Sequence, residues 1–197
     1  MSSIAASLST SNFSGHLLES DKCILLVIDI QEKLLPPIFN LESLIKNSRL
    51  LIRTAELLKI PALLTTQYAQ GLGQVVPEIA SALPGCDAID KQRFSCFGSE
   101  AFTSALKRMP GDRTTLLLCG METHICVMQT ALSALDQGYI VHVASDAVGS
   151  RSDANWKIGL ERMKSAGVVI SSTEMMMYEL LRGSDGTAFK QLLPLLK

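Results

Sequence analysis

Thr114-Thr-Leu-Leu-Leu-Cys-Gly-Met-Glu-Thr-His-Ile-Cys-Val-Met-Gln-Thr-Ala-Leu-Ser-Ala-Leu135 turns from a buried strand into a helix within a few residues, and the rest of the chain reads outward from it. Leu116 to Cys119 is a short apolar run closed by Gly120, the pattern of a strand covered on both faces. Ile125, Met128, Leu132 and Leu135 recur at helical spacing and form one apolar face. Thr123 reads as the N-cap, which puts Cys126 in the first turn. With Ile125 in the buried stripe, Cys126 is expected to point away from the core. There the positive end of the helix dipole and free backbone N–H groups favour thiolate over thiol. Cys126 is a candidate nucleophile.

Upstream, Cys23 to Ile30 is a near-continuous apolar run, as a central parallel strand requires. Asp29 interrupts it near the end. A carboxylate there is costly unless a cation or hydrogen bonds meet it; its other reading is a cap for the following loop. Beyond Pro36 and Pro37, Asn40 can cap a helix over Leu41 to Leu58, and Ala62 to Gln67 forms a second strand. Residues 68–83 read as a loop, with Gly71, Gly73 and Pro77. Cys86 to Lys91 is a third strand, followed by a helix from about Ser99 to Met109. Downstream, Ile140 to Ser145 is the fifth strand, ending at Asp146. Ser152 caps a helix over Asp153 to Ala166, and Gly167 stops it. Val168 to Ser171 is a sixth strand, Thr173 to Leu181 is helical, and Thr187 to Lys197 reads as a weak final helix.

Strands alternating with helices imply a single α/β domain: a six-stranded, mainly parallel, Rossmann-like sheet with helices on both faces. It is expected to span residues 21–197, behind an N-terminal arm of residues 1–20. In open sheets of this kind the site lies beyond the C-terminal strand ends, at the topological switch point. Asp29, Lys91 and Cys126 all sit at or just past such ends.

Bulk properties exclude several classes of function. A net charge of −1 gives no electrostatic reason to expect nucleic acid or an anionic membrane as partner. No apolar run approaches the roughly 20 residues of a membrane span. Met1 to His16 lacks Lys and Arg, so neither a secretory leader nor an Arg-rich transit peptide is read there, and a frayed arm on a cytoplasmic protein is expected. The five cysteines are an odd number with no CxxC, which fits reduced thiols. Cys23 and Cys119 read as small core residues, Cys86 as part of a turn, and His142 as a satisfied core histidine.

If Asp29, Lys91 and Cys126 converge, they form a nucleophilic site. Lys91 stabilises the Cys126 thiolate and keeps Asp29 ionised and in place. Asp29 takes the thiol proton, hands it to the leaving group, and later activates water. Backbone N–H groups of the Met121–Cys126 turn receive the developing oxyanion.

Three motifs, Val27-Ile-Asp-Ile-Gln31, Lys91-Gln-Arg-Phe-Ser95 and Gly120-Met-Glu-Thr-His-Ile-Cys-Val127, arrive in the order seen in the isochorismatase-like cysteine hydrolases, which the chain resembles from about Asp21 to Glu174. The loop from Gln67 to Glu78 resembles the metal-free branch, near the isochorismatase-domain-containing proteins. The resemblance implies an isochorismatase-like hydrolase fold and a triad of Asp29, Lys91 and Cys126. It also implies a cis peptide between Met121 and Glu122, with the N–H groups of Glu122 and Cys126 as oxyanion donors. Its pocket would draw on Leu34, Tyr68, Arg93 and Phe94. His124 either lines that pocket or orients the turn, and Arg93 either meets a carboxylate or serves a structural ion pair. Where metal-dependent nicotinamidases carry Asp and His ligands, this chain reads Gln67-Tyr-Ala-Gln70 and has three histidines in all, so no metal and no other cofactor is expected. True isochorismatases lack a cysteine at the position of Cys126, which points away from isochorismate.

The favoured reading is a metal-independent cysteine hydrolase acting on a small-molecule amide, carbamoyl or related C–N bond, in a homo-oligomer. Two others compete with it: a low-activity scaffold or regulatory oligomer, and a redox-responsive thiol protein.

Overall fold

The apolar runs become six strands of one parallel sheet, in the order β3-β2-β1-β4-β5-β6. The computed structural model describes residues 17–196 of the chain. The strands are β1 (Cys23–Ile28), β2 (Ala62–Gln67), β3 (Ile89–Lys91), β4 (Thr115–Met121), β5 (Ile140–Gly149) and β6 (Val169–Ser171). The eight helices among these residues are α1 (Leu41–Leu57), α2 (Ala69–Leu72), α3 (Pro77–Ala80), α4 (Glu100–Lys107), α5 (Met128–Asp136), α6 (Asp153–Ser165), α7 (Thr173–Leu181) and α8 (Thr187–Leu192).

Period-two alternation divides the side chains of the central strands between two cores. Leu25, Val27, Leu117 and Cys119 face α1 and α7, packing on Leu44, Leu51, Ile52 and Met176. Ile24, Leu26, Leu116 and Leu118 face α4, α5 and α6, packing on Phe102, Ala131, Ala134 and Met163. Because both faces are covered, β1 and β4 carry no exposed position, which explains their unbroken apolar sequence. Strand order reverses between β1 and β4, so the crevice at their C-terminal ends is the switch point.

Several boundaries move for identifiable reasons. The first strand stops at Ile28, two residues early, because Asp29 is left-handed, with φ 53°, and the chain leaves the ladder once Asp29 N–H has donated to Thr65 O. The third strand is only Ile89–Lys91 and does not begin at Cys86. The expected loop over residues 68–83 holds the single-turn helices α2 and α3, and an antiparallel bridge joins Gln31 to Val75. β5 runs past Asp146 to Gly149 because a bulge between Leu118 and Gly120 shifts its register with β4. Asp146 instead accepts from the N–H and hydroxyl of Thr173 at the start of α7, at 2.8 and 2.9 Å.

Ser152 caps α6 as expected, its hydroxyl accepting from Asn155 N–H. Asn40 does not cap α1, which has no side-chain cap; its Nδ2 donates to Val148 O instead. The final helix ends at Leu192 and continues as a 3-10 turn to Leu196. Of the N-terminal arm, residues 1–16 lie outside the described residues; Leu17 and Leu18 are fastened to α7 by Arg182, which donates to both carbonyls.

Candidate active site

Asp29 and Lys91 meet at the C-terminal strand ends. The left-handed backbone at Asp29 removes its side chain from the strand alternation and leaves the carboxylate buried above the sheet. Oδ2 accepts from Lys91 Nζ at 2.6 Å, and Oδ1 from the Thr65 hydroxyl at 2.7 Å. Neither the Asp29 nor the Lys91 side chain is exposed. Lys91 donates also to Gln67 Oε1 at 2.9 Å, and Gln67 Nε2 donates to Gln92 O at the same distance. Burial draws the Lys91 ammonium down, but Asp29, helped by nearby thiols, outweighs it, and Lys91 is held above its ordinary value. It is a fixed cation.

Cys126 completes the cluster, but not as the helix periodicity implies. Residues 123–127 form one wide π turn before α5, so the stripe shifts: Cys126 is 7% exposed and Ile125 only partly buried. Thr123 lies inside this turn instead of capping it, and its hydroxyl is buried with no partner among the described residues. The expectation of a favoured thiolate is also reversed. Burial pushes the Cys126 thiol well up, and the charge and hydrogen bonding of Asp29 add to the rise; Lys91 offsets part of it. Cys126 therefore rests as a thiol beside a carboxylate.

The Met121–Glu122 peptide is cis. Among the described residues, Glu122 N–H makes no hydrogen bond, and Cys126 N–H finds no acceptor outside its own turn. The Glu122 N–H is thus free, four residues before Cys126 in the chain. Glu122 itself turns outward, where its carboxylate accepts from Arg151 N–H and Nε at 3.2 and 3.0 Å.

The remaining expected site residues are more dispersed. Tyr68 and Phe94 follow β2 and β3 and are exposed, while Leu34 is half-buried against the α1 core. Tyr68 is left-handed, φ 43°, and its ring covers Gly71 so closely that a Cβ there would lie 2.1 Å from Cε1. Arg93 is exposed, lays its stem over Gly98, and makes no ion pair among the described residues. His124 Nδ1 is 3.0 Å from the Ser150 hydroxyl, and its backbone packs on Gly159 of α6.

Sequence reasoning missed Thr65, Gln67, Gln31 and Cys96. The first two lie inside β2 with no local mark of function, and only its pairing with β1 and β3 sets them beside Asp29 and Lys91. Cys96 is fully buried among Thr130, Thr65, Asp29 and Lys91, and burial pushes its thiol up to about 11. His142 is buried but not satisfied, since Nδ1 has no partner among the described residues. Among the same residues, no group of three or more His, Cys, Asp or Glu side chains could hold a metal ion.

The isochorismatase domain model matches residues 23–175, most of the described chain. The chain belongs to the isochorismatase family. As a family member with this fold it is a hydrolase. It is 37% identical to the secreted isochorismatase effector Isc1 of Phytophthora sojae, over 98% of this chain and 93% of that one. The MAR1 ribonuclease structure from Caenorhabditis elegans is 34% identical and superposes with TM-score 0.84, covering 91% of this chain and 92% of its own. YcaC from Pseudomonas aeruginosa, solved with covalent acrylamide, is 27% identical with TM-score 0.86, covering 93% of both chains. YcaC from Escherichia coli, described as an octameric hydrolase of unknown specificity, is 26% identical with TM-score 0.85, covering 91% and 90%. Among the described residues of this isochorismatase-family chain, no helix is long and apolar enough to cross a membrane.

Proposed function

We propose that this isochorismatase-family hydrolase is a metal-independent cysteine hydrolase that cleaves a small-molecule amide, carbamoyl or related C–N bond. The observation that carries the reading is the buried convergence of Asp29, Lys91 and Cys126 at the switch point. Asp29 accepts the thiol proton as sulfur attacks the carbonyl carbon, so the thiolate exists only while the C–S bond forms. The carbonyl oxygen becomes an oxyanion facing the N–H groups of Glu122 and Cys126. Protonated Asp29 gives its proton to the departing nitrogen as the C–N bond breaks, leaving a thioester. Water then attacks the thioester, Asp29 takes its proton, and the proton returns to the sulfur. Lys91 never transfers a proton; it holds the carboxylate and offsets the negative charge that passes between Asp29 and Cys126.

Covalent acrylamide in the P. aeruginosa relative supports a nucleophile in this fold, because acrylamide is an electrophilic amide that traps thiols. The octameric E. coli relative supports a homo-oligomer. Five free thiols support a reducing, cytoplasmic setting, although the P. sojae relative is described as secreted. The near-neutral charge gives the ribonuclease name of the C. elegans relative no electrostatic counterpart here.

The test is a panel of small amides, carbamates and ureides, with isochorismate as the competing substrate, run on wild type and Cys126→Ala. Expected are amine or ammonia release and an acyl adduct on Cys126 in intact-mass spectra, both lost in the variant. Turnover by Cys126→Ala overturns the covalent mechanism.

A further inference from the structure

We infer that Gln31 is a positioning residue for Lys91, acting through Gln67. The inference rests on the Asp29–Lys91–Cys126 reading above. The need for such a residue arises at Asp29. Pairing of β1 with β2 ends at Ile28 opposite Thr65, because the left-handed turn at Asp29 takes the β1 backbone out of the ladder. Gln67, two residues further along β2, thus loses its backbone partner on that side while it still pairs with Lys91 on the other. A buried peptide group left this way needs a substitute.

Gln31 supplies it with a primary amide, the side-chain group most like a peptide. Its Oε1 accepts from Gln67 N–H at 2.7 Å, and its Nε2 donates to Gln67 O at 3.1 Å. The side chain forms a rung where the main chain cannot. Gln67 is thereby fixed between Gln31 and β3, and its own carboxamide is fixed at both ends, by Lys91 Nζ and by Gln92 O. Since Gln67 Oε1 and Asp29 Oδ2 are both acceptors of the ammonium, the place of Gln67 decides where the Lys91 charge sits relative to Cys126. Gln31 is fully buried, so the geometry is not diluted by solvent.

The same amide reaches the segment that follows β2. Gln31 Nε2 donates to Gly73 O at 2.8 Å, and Gln31 bridges Val75. Flanking bonds from Glu32 N–H to Gln74 O and from Lys33 N–H to Leu72 O bind the segment after Tyr68 to the same stretch. Gln31 therefore links the 68–76 segment to Lys91 by way of Gln67.

The experiment compares alkylation of Cys126 by iodoacetamide against pH in wild type, Gln31→Met and Thr54→Val, read by peptide mass spectrometry. Thr54 is a buried hydroxyl donating to Leu50 O within α1, so its loss reports destabilisation without the relay. In Gln31→Met the Gln67 acceptor is no longer fixed, the Lys91 ammonium keeps only Asp29 and shifts from its place, and Cys126 alkylation near neutral pH slows about fivefold. Thr54→Val lowers the melting temperature but keeps the wild-type profile. Gln31→Glu keeps the acceptor for Gln67 N–H and loses both donations, so it shifts alkylation in the same direction and serves if Gln31→Met does not fold. A wild-type Cys126 profile in a folded Gln31 variant overturns the inference and leaves Gln31 a structural tie. Failure of every substrate in the hydrolysis panel strikes the proposed C–N bond cleavage instead, since alkylation needs no substrate.

Discussion

Lys91 Nζ stands 2.6 Å from Asp29 Oδ2, with neither side chain reached by solvent. A buried pair of this kind contributes little net stability relative to an apolar pair, but removal of one partner strands the other charge. Lys91→Met is therefore expected to destabilise the fold by about 3–5 kcal/mol and abolish hydrolysis. Asp29→Asn combined with Lys91→Met recovers much of the stability and none of the activity. Urea unfolding of the single and double variants checks this. Equal losses that simply add would show the two charges to be independent.

Thr65 tests the other carboxylate oxygen. Its hydroxyl donates to Asp29 Oδ1, fixing the face of the carboxylate that remains for the thiol proton. Thr65→Val keeps the shape, removes the donor, and should cost about 1–3 kcal/mol. Turnover is expected to fall about tenfold, because the freed carboxylate no longer presents one defined acceptor. Thr65→Ser restores rate more than it restores packing, and kcat measured for both variants checks the order.

Sequence alone carried the fold class and singled out three residues that the structure brings together, because both leave local marks. Unbroken apolar runs such as Leu116 to Cys119 signal a sheet covered on both faces; Asp29 is a charge near the end of such a run, and Lys91 closes a short third strand. What it could not carry is set by backbone departures from the regular period. A left-handed Asp29 shortens β1, a bulge lengthens β5, and a π turn rotates Cys126 inward from the face that 3.6-residue spacing assigns. The reversed thiol chemistry follows from that rotation, since burial and Asp29 together exceed any benefit of the helix terminus. Gln31 and Gln67 are ordinary polar residues in sequence. Only the missing rung between β1 and β2 gives them a task.

Gly120 marks how tightly the switch point is closed. At φ +123°, a Cβ on this residue would lie 2.0 Å from Ile28 O, a backbone atom of the neighbouring strand that cannot swing aside. Gly120→Ala is expected to leave little folded protein. Gly138 is also at positive φ, +84°, but a Cβ there meets nothing within 4 Å. Gly138→Ala should cost only the backbone strain, about 1–2 kcal/mol. Thermal melting of the two variants separates close approach from conformational strain; similar losses would mean that β4 can move away from β1.

His142 contributes to the acid limb of stability. It lies on β5 opposite Leu117 and Val169, is 7% exposed, and leaves Nδ1 without a partner among the described residues. Burial lowers its pKa from the ordinary 6.5, and the charge of Glu179 recovers only part of the shift. The folded state thus keeps the ring neutral while the unfolded chain takes up a proton as pH falls through about 6.5. Because the unfolded state then binds more protons, stability falls with falling pH until the lowered folded value is reached, below which this contribution is spent. His142→Val removes the titrating group from a strand position that suits a branched side chain. The variant should lose less stability than wild type between about pH 7 and about pH 5. His124, also lowered by burial, stays in both proteins and adds a slope of the same sign to both. Urea midpoints across this range decide the matter: parallel curves for the two proteins would place the acid sensitivity elsewhere.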